Sequence, residues 1–86
     1  MTSAEALREA ARAGRYRQFE LSSHALQRMK ERNVTRRDIG LALSSATSAV
    51  HEGGDKWRID GGTDDDGEPL GVVIVFTGRG LIVTVF

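Results

Sequence analysis

The hydrophobic pattern of this 86-residue chain changes from a helical period to a strand period after Ser48. Upstream, two capping boxes, Thr2 with Glu5 and Thr35 with Asp38, each begin a segment whose apolar residues are three and four positions apart. Downstream, the pattern is that of strands: SAVHE, the strictly alternating KWRID, and the apolar runs LGVVIVFT and LIVTVF. The predicted fold is α+β, with N-terminal helices packed on one face of a small antiparallel β-sheet meander.

The length of the chain suits one domain with one modest core, and we expect residues 1–86 to form it. The first helix, AEALREAARA, is predicted to end at Gly14. Its apolar stripe is mostly alanine, so we expect residues 1–15 to be a peripheral helix that buries little surface. YRQFEL is predicted to be a short edge strand or an extended lead-in to residues 19–86.

Several functional classes are disfavoured by composition. With no cysteine, the chain has no disulfides, thiolate metal sites or catalytic thiols. The acidic DDDGE run lacks the spacing of a calcium loop and is predicted to be a solvated turn, so neither a metal nor a cofactor is expected. The sequence shows no signal peptide and no membrane-spanning run, which predicts a cytoplasmic protein without membrane contact.

The zero net charge conceals two halves of opposite sign. Residues 1–37 carry nine basic and four acidic side chains, a net charge of +5. Residues 38–86 carry three basic and eight acidic side chains, a net charge of −5. The basic half could face nucleic acid or an acidic partner, or the two halves could neutralise each other within the fold.

The run HALQRMKER places His24, Arg28 and Arg32 four residues apart on a predicted helix. Its predicted N-cap is Ser23, and it is predicted to end at Asn33, which tolerates the left-handed conformation. In a helical projection the apolar arc is formed by Ala25, Leu26 and Met29. His24 lies at the flank of this arc, Arg28 lies closer in, and Arg32 lies almost at its centre. A guanidinium that points toward a core needs an anionic partner. The partner is either an external phosphate or a carboxylate of this chain, for which the candidates are Asp38, Glu52 and Asp60.

A histidine one helical turn from an arginine suits cleavage of an RNA phosphodiester. A base removes the 2′-hydroxyl proton, an acid protonates the leaving oxygen, and arginine stabilises the charge on phosphorus. Arg58, opposite Trp57 on its strand, and Thr84 on the last strand could face the same cleft, and His51 is a candidate second acid or base. The structural alternative is that His24 only forms hydrogen bonds and Arg32 braces the helix against the sheet.

The segments HALQRMKERNVTRRDI, WRIDGG, GEPLGVVIVF and LIVTVF together resemble the bacterial domain-of-unknown-function family 4258, over about residues 19–86. That family is grouped with the RelE-like toxins of toxin–antitoxin modules and is similar to the BrnT type. The resemblance implies a RelE-like fold and a small ribonuclease toxin that a cognate antitoxin protein neutralises. RelE-like toxins commonly carry phosphate-binding and acid/base residues on the open sheet face and the last strands. The family motif matches five residues of this chain: His24, Arg28, Arg32, Arg58 and Thr84.

Two functional hypotheses follow from these residues. In the first, the protein is a metal-independent ribonuclease: His24 is the acid or base, Arg28 and Arg58 hold the scissile phosphate, and Arg32 and Thr84 contact the RNA substrate. In the second, it is a non-catalytic interaction module of the same fold, which binds a protein partner through its sheet edge or its basic helical face. The first is the leading hypothesis, although many such toxins are strongly basic and the neutral net charge of this chain argues against tight RNA binding.

Overall fold

A computed structural model describes residues 1–86. All the helices precede Ser48, and every strand except the first begins at or after it, so the predicted change of hydrophobic period marks the boundary between helices and most of the sheet. The helices are α1 (Ser3–Tyr16), α2 (Ser23–Arg32) and α3 (Arg36–Ser45). The strands are β1 (Glu20–Leu21), β2 (Ser48–Gly53), β3 (Lys56–Asp60), β4 (Val72–Val75) and β5 (Leu81–Val85). The α+β prediction is confirmed, and none of the helices combines the length and hydropathy needed to cross a membrane.

The sheet is mixed rather than wholly antiparallel. Its strand order is β1-β5-β4-β3-β2, and strands β2 to β5 form the predicted antiparallel meander. Strand β1 instead pairs in parallel with β5, aligning Glu20 with Leu81. The pairing occurs because the extended segment before α2 supplies N–H donors to β5: Glu20 donates to the Gly80 carbonyl over 2.8 Å, and Ser22 donates to the Ile82 carbonyl over 3.0 Å. The lead-in segment is therefore an edge strand.

Helix α1 continues through Gly14 to Tyr16, so the prediction that Gly14 ends the helix is wrong. The helix ends where Arg17 adopts the left-handed conformation, with φ 54°. Gly14 is buried where α1 crosses α3: a Cβ atom at this position would lie 2.5 Å from the Gly40 carbonyl oxygen. A Cβ atom on Gly40 would likewise lie 3.0 Å from the Gly14 carbonyl oxygen. The missing side chains therefore allow the two helices to approach closely.

The prediction that α1 is peripheral is also wrong. Ala6 and Ala10 are completely buried and belong to a continuous cluster of 16 buried apolar residues. The largest fully buried side chains of this cluster come from α3 and from all the longer strands except β2: Ile39, Leu43, Ile59, Val72, Ile74, Ile82 and Val85. A stripe of alanines buries little area per residue, but the close helix crossing places it in the core.

Asp38 holds the start of α3 and the acidic loop together. One carboxylate oxygen accepts hydrogen bonds from the Thr35 backbone N–H (2.8 Å) and hydroxyl (2.9 Å), and the other accepts from the Asp65 N–H (2.9 Å). Burial alone would raise the pKa of Asp38, but these hydrogen bonds, with the charge of Arg37, hold it below its ordinary value of 3.8. Asp38, one of the three candidate partners of Arg28 and Arg32, thus belongs instead to the capping box of α3.

We expect Asp38→Ala to lower the free energy of unfolding by about 2 kcal/mol at neutral pH, because two backbone N–H groups lose their acceptor. The folded-state pKa is depressed, so the carboxylate stabilises the fold above its unfolded-state pKa and stops doing so as the pH falls through the folded value. Urea unfolding at a series of pH values should therefore show that the difference in free energy of unfolding between Asp38→Ala and wild type becomes smaller below pH 3.8. Asp66→Ala, on the exposed turn, is the control; a difference that does not change with pH would contradict the assignment.

Candidate functional site

The start of α2 is tied directly to β5. Ser22, not Ser23 as predicted, is the N-cap: its Oγ accepts a hydrogen bond from the Ala25 N–H over 3.0 Å. The same hydroxyl donates to the Val83 carbonyl over 2.9 Å. Because Thr84 follows Val83, this bond places the first turn of α2, which carries His24, beside the part of β5 that carries Thr84.

His24 and Arg28 lie on the accessible side of α2. His24 is exposed and forms no hydrogen bond or ion pair with another side chain. The Arg28 side chain is 37% exposed and pairs with Glu31 one turn further on, over 3.2 Å. Exposed ion pairs of this kind contribute about 0–1 kcal/mol, so a phosphate can compete with Glu31 for the guanidinium.

The prediction that Arg32 points toward the core is wrong. Only Ala25 and Met29 are buried on α2, and Leu26, predicted to share the apolar arc, is 52% exposed. Arg32 does project onto the line of Ala25 and Met29, but it is the last helical residue. The chain turns away at Asn33, in the left-handed conformation predicted for this position, so the buried stripe ends one turn earlier. Arg32 is exposed and needs no internal carboxylate.

Arg58 and Thr84 share one face of the sheet. The strand register aligns Arg58 on β3 with Val73 on β4, and Val73 with Thr84 on β5. Two strand spacings separate the outer members of this row, which corresponds to about 10 Å between their backbones. The flanking residues Trp57 and Ile59 are buried in the core, so Arg58 and Thr84 lie on the face opposite to that packing.

The guanidinium of Arg58 is held in place by two neighbours. Its Nε donates to Asp60 over 3.2 Å, and its central carbon lies 4.0 Å from the ring centroid of Phe86. The Phe86 ring in turn covers Gly71, where any side chain would collide with it. Sequence reasoning missed Phe86; the available signal was its position two residues after Thr84, on the same side of an alternating strand. The stack fixes the plane of the guanidinium while its terminal nitrogens stay free to donate.

The other candidates do not join this row. His51 is the register partner of Trp57, with ring centroids 4.7 Å apart, and its Nε2 contacts the Gly54 carbonyl oxygen at 2.8 Å. It therefore belongs to the face opposite Arg58. In the DDDGE turn, the Asp64 carboxylate accepts from two backbone N–H groups of the turn, and the Asp65 carboxylate pairs with Arg37 on α3. Nowhere do three His, Cys, Asp or Glu side chains converge closely enough to hold a metal ion.

The structure thus brings together part of the predicted site. Arg58 and Thr84 share a row, and the first turn of α2 is anchored to the same strand as Thr84. No hydrogen bond or ion pair connects any two of the five predicted residues, and none of them lines a cavity. Instead of lining the predicted cleft, His24, Arg32 and Arg58 are exposed, and Arg28 and Thr84 are half-buried.

Fold and surface together define a small α+β protein with an open mixed sheet, which carries arginine, threonine and histidine side chains at and near its last strand. Residues 21–86 match the family described as a domain of unknown function, DUF4258, and the chain belongs to that family. Residues 1–20, including α1, precede the matched region. Neither the curated proteins nor the solved structures contain a match to this chain.

Proposed function

We propose that this protein is the toxin of a toxin–antitoxin module, a metal-independent ribonuclease that acts in the cytoplasm. The observation that supports it best is the row of the exposed Arg58 and the half-buried Thr84, beside which the Ser22–Val83 hydrogen bond anchors the helix of His24. The proposed partners are an RNA substrate and a cognate antitoxin protein that covers this surface. The relation to RelE-like toxins is part of the same proposal.

Each side chain has a role that its surroundings allow. His24, exposed and unpaired, exchanges protons with the 2′-hydroxyl or with the leaving oxygen. Arg58 uses its Nε for Asp60, stacks its guanidinium on the Phe86 ring and keeps its terminal nitrogens for the scissile phosphate. The Thr84 hydroxyl donates to the Val85 carbonyl over 3.3 Å and retains lone pairs that can accept from a ribose hydroxyl.

The arginines on α2 extend the cationic surface. Arg28 exchanges Glu31 for the scissile phosphate and holds it together with Arg58. Arg32, exposed and unpaired at the end of the helix, contacts a neighbouring phosphate. Both arginines act through their positive charge. They stabilise bound RNA and the negative charge on phosphorus in the transition state without a bound metal ion.

We expect His24→Ala to reduce RNA cleavage on the order of 100-fold and to abolish growth arrest on expression, because it removes the acid or base. The matched control is His51→Ala, which removes an exposed histidine from the opposite face. Cleavage of total RNA in the presence of a chelator, with melting temperatures of both variants, provides the measurement. Equal activity of His24→Ala and wild type would overturn the assignment of His24.

The second candidate function is a non-catalytic interaction module. It is favoured by the pairing of Arg28 with Glu31 and of Arg58 with Asp60, and by the absence of a cavity beside these residues. Under this hypothesis, wild-type protein causes neither growth arrest nor RNA cleavage. Arg58→Ala would then change only the affinity for a protein partner.

A further inference from the structure

The arginines of the N-terminal half are mostly not neutralised within the fold. Of the three ion pairs, only that between Arg37 and Asp65 connects the basic half to the acidic half. Arg36 is used internally: it donates to the Phe19 carbonyl over 2.6 Å and lies on the Phe19 ring. Three exposed arginines on α1 have no ion pair or side-chain hydrogen bond, namely Arg8, Arg12 and Arg15.

These three arginines form one row along the helix. They are four and three residues apart, so they share one face at a rise of about 6 and 4.5 Å. The row lines a shallow cavity of about 470 Å³ together with Ala11 and Tyr16. Tyr16 is 59% exposed, which is unusual for an aromatic ring and leaves a flat face beside the cations.

The fold adds a fourth arginine from a distant part of the chain. Arg12 also lines a second cavity, of about 330 Å³, which the turn between β4 and β5 closes with Gly78 and Arg79. Arg79 is exposed and unpaired, and the backbone N–H groups of Gly78 and Arg79 donate to no other residue. Glu9 is the acidic residue in this cavity, and it forms no ion pair with either arginine.

We propose that this α1 surface, formed by Arg8, Arg12, Arg15, Tyr16 and Arg79, binds the phosphate backbone of single-stranded RNA. Unpaired guanidinium groups and free N–H donors match phosphate oxygens, and an exposed aromatic ring beside a cationic groove is the usual platform for an unpaired base. RNA is favoured over an acidic protein because the exposed Tyr16 ring can stack on an unpaired base while the unpaired arginines bind phosphates, and an acidic protein is the alternative outcome of the test.

The α1 surface is separate from the row of Arg58 and Thr84. Ala6 and Ala10 belong to the same buried cluster as Trp57 and Ile59, so α1 covers the face opposite Arg58. The inference rests on the proposed ribonuclease function and deepens it: the RNA has a second contact that holds the strand but takes no part in cleavage. Helix α1 precedes residues 21–86, which match the family, so most of this contact lies outside the matched region.

The test measures binding of a short single-stranded RNA whose 2′-hydroxyls are methylated, so that it cannot be cleaved. Fluorescence anisotropy is recorded over a range of salt concentrations. The double variant Arg12→Ala with Arg79→Ala should bind about tenfold more weakly at low salt, and the slope of log affinity against log salt should fall by about 0.7 per arginine removed. Its control, Lys30→Ala with Arg37→Ala, removes the same charge from exposed positions outside the α1 surface.

The outcomes distinguish the two proposals. An equal loss of RNA affinity in the double variant and its control overturns the α1 surface. Wild-type protein that binds polyglutamate but not RNA also overturns it, since the partner is then an acidic protein. Binding that depends on Arg12 and Arg79, without cleavage of unmodified RNA, supports the α1 surface and overturns the ribonuclease. If cleavage depends on His24 while RNA binding is unchanged by the loss of Arg12 and Arg79, the ribonuclease is supported and the α1 surface is overturned.

Discussion

A chain that begins at Arg17 is expected to lose cooperative unfolding, even though the region that matches the family begins at residue 21. Helix α1 contributes Ala6 and Ala10, both without exposed surface, and its Gly14 lies directly against α3. Without it, the completely buried side chains of Ile39 and Leu43 lose their cover. The apolar area exposed would remove most of the 5–15 kcal/mol by which a domain of this size is typically stable.

Circular dichroism during heating, together with amide proton dispersion in NMR spectra, distinguishes the outcomes. The control is the full chain carrying Arg8→Ala and Arg15→Ala, which changes α1 only at exposed positions and should melt close to wild type. A truncated chain that melts sharply near the wild-type temperature would show that α1 is peripheral, as the alanine-rich pattern alone predicts.

We expect Gly62→Ala to lower the free energy of unfolding by about 3 kcal/mol or more, through a backbone collision. A Cβ atom at this position would overlap the carbonyl oxygen of Ala42 on α3 and lie 2.8 Å from its carbonyl carbon. Neither group can rotate away, because both belong to the helix backbone. Relief would require the loop after β3 to move, which would break the hydrogen bond from the Leu70 N–H to the Gly62 carbonyl.

Urea denaturation at neutral pH measures this cost. The neighbouring substitution Thr63→Ala is the control, since Thr63 is exposed and donates to Ser45 through its backbone N–H rather than its side chain. A Gly62→Ala midpoint within experimental error of the control would mean that the loop is not held against α3 as described.

Local signals predicted the ends of the elements better than their packing. The capping boxes at Thr2 and Thr35 are both formed, and Asn33 ends α2 in the left-handed conformation. The prediction that Gly14 ends α1 failed because the sequence does not distinguish a glycine that ends a helix from a glycine that allows a second helix to pack closely. The two roles are distinguished by whether another helix lies against the glycine, here α3 at Gly40, and that is a property of the tertiary structure.

For the candidate site too, local features were predicted from the sequence and tertiary contacts were not. Alternation along β3 correctly predicted that Arg58 and Trp57 face opposite sides. It did not reveal that Phe86 stacks on Arg58, because the stack depends on the register between β3, β4 and the end of β5. The proximity of Arg12 and Arg79 was equally inaccessible, since nothing local relates α1 to a turn 67 residues later.

The parallel pairing of Glu20 with Leu81 has a kinetic consequence. It closes a loop that contains most of the chain, and such contacts carry a large entropic cost before they stabilise anything. The local α2–α3 connection and the β2–β3 hairpin can form early, whereas β1 must wait until β4 has recruited β5. We therefore expect the docking of β1 to be among the last events of folding, and its two residues to be among the first to open in native-state hydrogen exchange.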